Sequence, residues 1–313
     1  SEDLLYAVPV PEQAGVSNTT VTMNAASMNN SGFEFSATYR NRDRDFKYEL
    51  SANLSTLRNR VTSLGFGTDS YISGAYITNV GQEIGQFYGW AYEGIVRTQE
   101  DLDNHATQEG ARIGDCLYKD VSGPDGKPDG KIDANDQVVL GSGMPKIHFG
   151  LNARFEYKRF DLSIATFGAL NYHVSDDIYN SLNSCYGWGN KEVGMLDANR
   201  FSEDGSTYLS NVPRTYVTNS ASLGWNDLFS SRKIQNAAYW KIANVELGYN
   251  FPDKWFDKYV SDVRFYISAQ NLHTFTGYHG YNVDYAGGTF TPGYNFCSYP
   301  TARTFMCGVH FTF

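Results

Sequence analysis

The chain has 313 residues and a formal net charge of -9, and this acidic balance excludes proteins that bind nucleic acid through clustered Lys and Arg. Mean hydropathy is -0.43 and no segment reaches the ~20 consecutive apolar residues of a spanning helix, which excludes a helical membrane protein. The four cysteines, Cys116, Cys185, Cys297 and Cys307, lack CxxC spacing. They indicate neither a zinc site nor a disulfide framework, although one pair in the loops could bridge.

Residues 3–8 predict the tail of a first strand. Pro9 and Pro11, which cannot donate to a sheet, would end it. The run has neither the basic n-region nor the long h-region of a signal peptide. We therefore expect the chain to begin within a strand, as a piece of a longer polypeptide.

Seven further segments alternate apolar and polar side chains with a period of two residues, which is the pattern of a strand with one apolar face. They are 33–40, 46–55, 147–157, 161–166, 243–251, 263–270 and 305–313. Several approach the ~9 to 11 residues with which a tilted strand crosses a bilayer. Together with the first strand they predict an all-β, antiparallel sheet of about eight strands.

The connections between these strands alternate in length. Those after the second, fourth and sixth strands are short, and those after the first, third, fifth and seventh are long. Outer-membrane barrels combine short periplasmic turns with long extracellular loops. The pattern therefore favours a transmembrane β-barrel over the alternative, a soluble sandwich with Greek-key connections. It predicts that 58–145, which looks irregular, and 171–238 are long extracellular segments.

The acidic stretch 120–136 is the candidate metal site. Its oxygen ligands would be Asp120, Asp125, Asp129, Lys131 through its carbonyl, Asp133 and Asp136. Counted from Asp125, the spacing follows the EF-hand calcium loop, with a Gly at position 6. Lys127 at position 3 and an Asp in place of Glu at position 12 depart from that pattern. The alternatives are a Ca²⁺ site that stiffens the loop and a solvated, turn-rich loop.

Aromatic residues are frequent in the long segments. The candidates for contact with a substrate or a covering partner are Trp90, Trp188, Trp225 and Tyr281. Flat rings can stack on sugars or pack on a protein, and the alternative is that they form small cores of the loops. The sequence has no HExxH, GxSxG or P-loop motif and its six His are dispersed, so we expect no enzyme.

Several short motifs carry a resemblance to a known family. They are NNSGFEF at 29–35, IGQFYGW at 84–90 with EGI at 93–95, GD at 114–115 with YKDV at 118–121, DGKID at 129–133, SAQNL at 268–272 and YPTART at 299–304. In this order and spacing the sequence resembles the C-terminal part of a SusC/RagA-type TonB-dependent outer-membrane importer. The resemblance spans nearly the whole chain.

The resemblance implies a 22-stranded barrel in the outer membrane, of which residues 1–313 would supply the C-terminal portion. It implies a plug domain, absent from this chain, and as partners a SusD-like lipoprotein lid, the remaining N-terminal barrel and plug polypeptide, the TonB complex and outer-membrane lipid. The implied function is import of glycan fragments or peptides. The alternative is a surface-binding barrel, adhesive or structural, that does not transport.

The last strand has a further implication within that family. Phe305, Val309, Phe311 and Phe313 are its alternating apolar residues. In the family that the chain resembles, such a strand is the signal read by the barrel-assembly machinery. We therefore expect Phe313 to affect the amount of assembled protein more than the activity of each copy.

Overall fold

The computed structural model describes residues 4–9, 20–64, 68–123, 125–185, 190–195, 200–202, 207–215, 224–252, 255, 260–284 and 287–312, with the backbone alone for 4–9 and 20–25. Their regular structure is mostly strands, and these pair in sheets that are antiparallel except at one short pair, as the alternation predicted. None of the described helices has the length and apolar character needed to span a bilayer.

The strands are, in chain order, β1 Leu4–Pro9, β2 Thr20–Ser31, β3 Glu34–Asn41, β4 Phe46–Thr56, β5 Arg58–Ser63, β6 Ser70–Ser73, β7 Tyr76–Asn79, β8 Gln86–Trp90, β9 Tyr92–Ile95, β10 Cys116–Tyr118, β11 Gln137–Ser142, β12 Ile147–Tyr157, β13 Phe160–Leu170, β14 His173–Asp176, β15 Gln235–Asn236, β16 Tyr239–Asn250, β17 Asp262–Thr276, β18 Tyr294–Asn295 and β19 Thr304–Thr312. The two α-helices are α1 Gln99–Asn104 and α2 Asp177–Leu182.

The main sheet has seven strands in the order β19-β17-β16-β13-β12-β4-β3, and every neighbouring pair is antiparallel. Seven of the eight predicted strands are therefore confirmed as one sheet. Short connections join β3 to β4, β12 to β13 and β16 to β17 at one end, which we name the turn end. The long segments leave from the opposite end, the loop end.

The first predicted strand is confirmed as a strand but lies outside this sheet. Residues 4–9 do form β1, but β1 pairs with β2, and β2 pairs with β5 in a separate three-stranded sheet. The partners Ser31 and Arg58 continue the register of Glu34 and Ser55, so β2 and β5 prolong the β3–β4 hairpin beyond the loop end. The sequence missed β2 because each of its faces mixes polar and apolar residues, and the apolar positions change face between Ala25 and Ala26.

The main sheet has an apolar face that is exposed. Two rows of large side chains cross it, each made of cross-strand partners. The row at the loop end is Phe35, Leu54, Phe149, Trp240 and Phe275, and the row at the turn end is Phe46, Tyr157, Phe160, Tyr249, Phe265 and Val309. The Trp240 and Phe275 rings stack at 5.3 Å, and those of Phe160 and Tyr249 lie 4.9 Å apart.

The opposite face of the sheet, which we name the polar face, carries charged side chains near the turn end. Arg264 donates to Asp161 Oδ1 at 2.5 Å and to Glu246 at 2.8 Å. Arg40 and Glu49 pair at 2.8 Å on neighbouring strands. Gly248 leaves the space for the first group, because a Cβ there would overlap the Asp161 carboxylate and the Arg264 guanidinium.

The long segments fold into a layer on the loop end, and the expectation that 58–145 is irregular was wrong. Residues 57–146 contain β5 to β11 and α1, whose strands have only three to six residues and pair mainly with each other. Such short strands give too little alternation to recognise in a sequence. The buried clusters of the layer include one around Val61, Leu64 and Ile84 and one around Cys116, Tyr118 and Ile132.

Candidate functional site

The acidic loop is held together by main-chain N–H groups that donate to its carboxylates. Asp136 is fully buried, and its Oδ1 accepts from the N–H groups of Val121 and Ser122 at 2.9 and 3.1 Å. Its Oδ2 accepts from the N–H of Asp133 at 2.8 Å, and Asp120 accepts from the N–H of Gly130 at 2.7 Å. These bonds fold the loop back on itself.

The same hydrogen bonds bear on the candidate calcium ligands. Asp133 and Asp129 accept from the N–H groups two residues further on, at 2.7 and 3.0 Å, and Asp125 is exposed at the rim. Within the part of the chain that the structure describes, no three Asp, Glu, His or Cys side chains converge on a common centre. Calcium binding by this loop stays a prediction.

The predicted aromatic contacts fall into two groups. Trp90 and Trp225 pack against the cluster of Cys116, Tyr118 and Ile132. Their indole N–H groups donate to the carbonyls of Asp133 and Glu109, at 3.0 and 2.9 Å. Both rings therefore stabilise the loop layer, and Trp90 fixes the acidic loop in particular.

Tyr281 is 64% exposed, so its ring is free to meet a ligand. Trp188 lies outside the described residues. Of the strand residues expected to guide assembly, Phe305, Val309 and Phe311 lie exposed on β19, on the apolar face, and Phe313 lies outside the described residues.

A buried cluster joins the segment 96–118 to the segment 207–228. Asp115 is 2% exposed and accepts from Arg214 Nη2 and from Asn226 Nδ2, both at 2.9 Å. The Asn226 side chain also accepts from the N–H of Cys116 at 2.7 Å. Burial raises the pKa of the Cys116 thiol to about 12, so this thiol stays protonated.

A second buried network ties the segment 277–295 to β14 and the residues on either side of it. Asp176 accepts hydrogen bonds from the Tyr278 hydroxyl, from Asn295 Nδ2 at 3.1 Å and from the N–H of Tyr179 at 2.8 Å. Burial, together with the hydrogen bond to Asp176, raises the pKa of Tyr278. The Tyr172 hydroxyl donates to the Val283 carbonyl at 2.9 Å. Polar contacts between segments that are distant in the sequence therefore fix this part of the loop layer.

Between the loop layer and the main sheet lies an open groove of about 570 Å³. Its walls come from both the sheet and the loops, and they include Met28, Ile84, Met144, His148, Tyr239 and Pro292. Sequence reasoning missed these residues, because they are apolar or neutral and belong to segments far apart in the chain. No spacing in the sequence could have united them.

Comparison with known proteins gives similarity over the whole chain. It is 30% identical over 332 aligned residues to TonB-dependent receptor P3 of Formosa agariphila, covering 100% of the chain and 31% of the relative. It is 25% identical over 331 residues to TonB-dependent receptor SusC of Bacteroides thetaiotaomicron, covering 100% of the chain and 29% of the relative. The chain thus spans about a third of the length of these curated relatives. No family model matches it.

A solved structure of the RagAB peptide transporter is similar in fold. The TM-score is 0.78 at 22% identity, over 100% of the chain and 32% of that chain. The all-β fold class is thereby confirmed. The relatives confirm the resemblance that the sequence motifs indicated, and the relatives themselves are TonB-dependent receptors.

Proposed function

We propose that this chain, a segment of a SusC/RagA-type TonB-dependent receptor, supplies part of the barrel wall and several outer loops of an importer in the outer membrane. The observation that carries the proposal is the pair of faces of the main sheet. One face exposes large apolar side chains between two rows rich in aromatic residues, and the other carries ion pairs such as that of Arg264 and Asp161. Lipid-facing and lumen-facing residues alternate in this way in transmembrane barrels.

The dimensions of the apolar face support a membrane location. On β12, the eight residue steps from Phe149 to Tyr157 span roughly 27 Å along the strand. A tilt of about 35 to 45° reduces this to a vertical separation of roughly 20 Å, so both rows lie within the ~25 Å apolar band of outer-membrane barrels, near the aromatic girdles at its edges. In this arrangement the turn end faces the periplasm and the loop layer faces outside.

The edges of the sheet support the presence of further strands. β3 and β19 each pair on one side only among the described residues. In hydrocarbon, unpaired backbone groups cost several kcal/mol each, so neither edge is stable there alone. We propose that the rest of the receptor closes the barrel and supplies a plug, and that a SusD-like lipoprotein covers the loop layer.

The substrate of the whole protein is a glycan fragment or a peptide in this proposal. The RagAB relative is a peptide transporter, which supports a peptide, and the exposed Tyr281 ring suits a sugar. Energy would come through the TonB complex.

The test uses the full-length receptor, tagged and expressed in its native host. We expect it in the outer-membrane fraction, extractable only by detergent, together with a lipoprotein. Deleting its TonB-contacting segment should stop growth on the nutrient that depends on the gene without lowering the amount of receptor. A full-length protein without such a segment or a plug, or unchanged growth after the deletion, would overturn import and favour a surface-binding barrel.

A further inference from the structure

A small polar cavity of about 210 Å³ opens on the polar face at the loop end of β16 and β17. Its wall contains Lys241 from β16, Thr274 and Thr276 from β17, and Tyr281 and Asp284 from the segment above them. It is more polar than the groove beside it, and Lys241 and Asp284 did not stand out in the sequence.

Lys241 is a buried cation without a hydrogen bond to any described residue. Its side chain is 8% exposed, and its ammonium lies 3.9 Å from Asp284 Oδ2 and 5.6 Å from the centre of the Phe167 ring. N–H···O hydrogen bonds have donor–acceptor distances of about 2.7 to 3.2 Å, so the ion pair at 3.9 Å is not one. Among the described residues, none accepts a hydrogen bond from the three N–H donors of the ammonium.

Asp284 is oriented by the sheet but remains accessible. Its Oδ1 accepts from the Tyr239 hydroxyl at 3.1 Å, and its side chain is 43% exposed. Oδ2, which faces Lys241, accepts no hydrogen bond from the described residues. The cavity thus presents a cationic donor, Lys241 Nζ, and an anionic acceptor, Asp284 Oδ2, that make no hydrogen bond to the described residues. They lie 3.9 Å apart, slightly more than the length of a hydrogen bond.

This arrangement selects among chemical classes of ligand. A carboxylate would approach the ammonium but would be repelled by Asp284, and an amine would be repelled by Lys241. A hydroxyl group donates and accepts at once, so it can accept from the ammonium while donating to the carboxylate. Two adjacent hydroxyls can divide the same two contacts between them. The pair therefore favours a neutral ligand whose groups both donate and accept, such as hydroxyls, over a singly charged one.

The remaining lining fits the same ligand. The Tyr281 ring offers a flat apolar surface, which suits the C–H face of a sugar ring. Thr274 and Thr276 also line the cavity. Ligand sites commonly combine such an apolar surface with a few placed polar groups.

We infer that Lys241, Asp284 and Tyr281 form a subsite for one neutral sugar residue with adjacent hydroxyls, at the entrance to the lumen. The inference rests on the proposed function, in which this face lines the path of the solute, and it favours a glycan over a peptide as the substrate. A sugar hydroxyl would accept a hydrogen bond from Lys241 Nζ, a hydroxyl would donate one to Asp284 Oδ2, and the face of the sugar ring would stack on the Tyr281 ring.

The experiment measures binding of oligosaccharides to the full-length receptor purified in detergent. The probes are neutral gluco-, xylo- and manno-oligosaccharides, uronic-acid oligosaccharides, and a tripeptide library. Lys241→Met and Asp284→Asn each remove one half of the pair, Tyr281→Ala removes the ring, and Lys119→Met is the matched control on an exposed lysine. Heat-modifiable migration on gels verifies that each variant is a folded barrel.

We expect at least one neutral oligosaccharide to bind, and each of the three substitutions to weaken it about tenfold or more, with no change for Lys119→Met. Binding of peptides or uronic acids alone, no binding at all, or neutral-sugar binding that is unchanged in the folded variants would overturn the subsite. A receptor that imports only peptides would overturn the subsite and keep the proposed function. Sugar binding without import would do the reverse.

Discussion

Arg214 places its guanidinium on the buried carboxylate of Asp115, with Nε 2.6 Å from Oδ1 and Nη2 2.9 Å from Oδ2. The two residues are far apart in the sequence, and their contact fixes one part of the loop layer on another. The Asp115 side chain is only 3% exposed, whereas Arg214 is 34% exposed. Asp115 is thus the member of the pair that depends on its partner.

Arg214→Met should therefore release the segment 207–215. The substitution leaves a buried carboxylate with fewer partners, at a cost of about 3 kcal/mol. Hydrogen exchange of the full-length receptor should show faster exchange in 207–215 and around Asp115, with the main sheet unchanged. Arg112→Met is the control, because Arg112 is exposed and contacts Asp115 through its main-chain N–H. Equal exchange in the two variants would show that the ion pair does not hold the segment.

A charge on the apolar face should reduce assembly of the receptor. Leu151 is 47% exposed on that face, between the two rows and next to the row at the loop end, and Asn152 lies beside it on the polar face. A Lys on the lipid face costs about 2 to 4 kcal/mol at the bilayer midplane and less toward the interfaces. We expect Leu151→Lys to lower the amount of heat-modifiable receptor in the outer membrane severalfold and Asn152→Lys to leave it near the wild-type amount. The opposite order would mean that the faces are assigned the wrong way round.

Acidification should weaken the junction of sheet and loop layer at His173. Burial lowers the pKa of His173, whereas the unfolded side chain titrates near 6.5. As pH falls, the unfolded chain therefore binds the proton first, so this contribution to stability is complete above about pH 6.5 and is lost as pH falls through the folded-state pKa.

His173→Gln should make thermal unfolding of the receptor less dependent on pH between about 7.5 and 5. His279→Gln, at an exposed position, serves as the control and should keep the wild-type dependence. A pH profile of His173→Gln that coincides with the wild type would remove His173 as the cause.

Calcium should bind the acidic loop weakly if the predicted frame is correct. The carboxylates already accept main-chain N–H groups, so an ion has to use their remaining lone pairs, and a micromolar to millimolar Kd is expected. Isothermal titration of Ca²⁺ into chelator-treated receptor measures it, and Asp129→Asn should abolish the heat. Asp69→Asn, outside the loop, is the control. Wild-type receptor that gives no heat at millimolar Ca²⁺ would leave the loop as a hydrogen-bonded turn structure.

The seven strands of the main sheet were predictable because each has one apolar and one polar face, so that alternation persists over eight or more residues in all but the segment 161–166, where it covers six. β12 shows this most clearly, from Ile147 to Tyr157. β2 was not predictable, since its apolar residues change face partway along it, and its pairing with β1 and β5 defines it. The short strands of the loop layer failed for a related reason, because three to six residues hold little periodic information.

The candidate site was less predictable than the fold. The acidic loop could be predicted because its residues are contiguous in the sequence. Tyr281 could be predicted because an aromatic ring in a loop is a common ligand contact. Lys241 was invisible, since one lysine within a polar strand face is ordinary. Its significance depends on Asp284, which is brought beside it by the Tyr172 and Tyr278 contacts and not by any spacing in the sequence.

In the proposed membrane location, the separation of the two rows on the apolar face also sets the hydrocarbon thickness that the surrounding bilayer has to match. Strands tilted by about 35 to 45° would reduce the roughly 27 Å between Phe149 and Tyr157 to a vertical separation of roughly 20 Å. Hydrophobic mismatch with a thicker membrane would force the lipid to thin around this wall or the wall to tilt further. Short-chain lipid would therefore be enriched next to this wall of the proposed barrel. The lipid composition around the protein would then differ from one side to another.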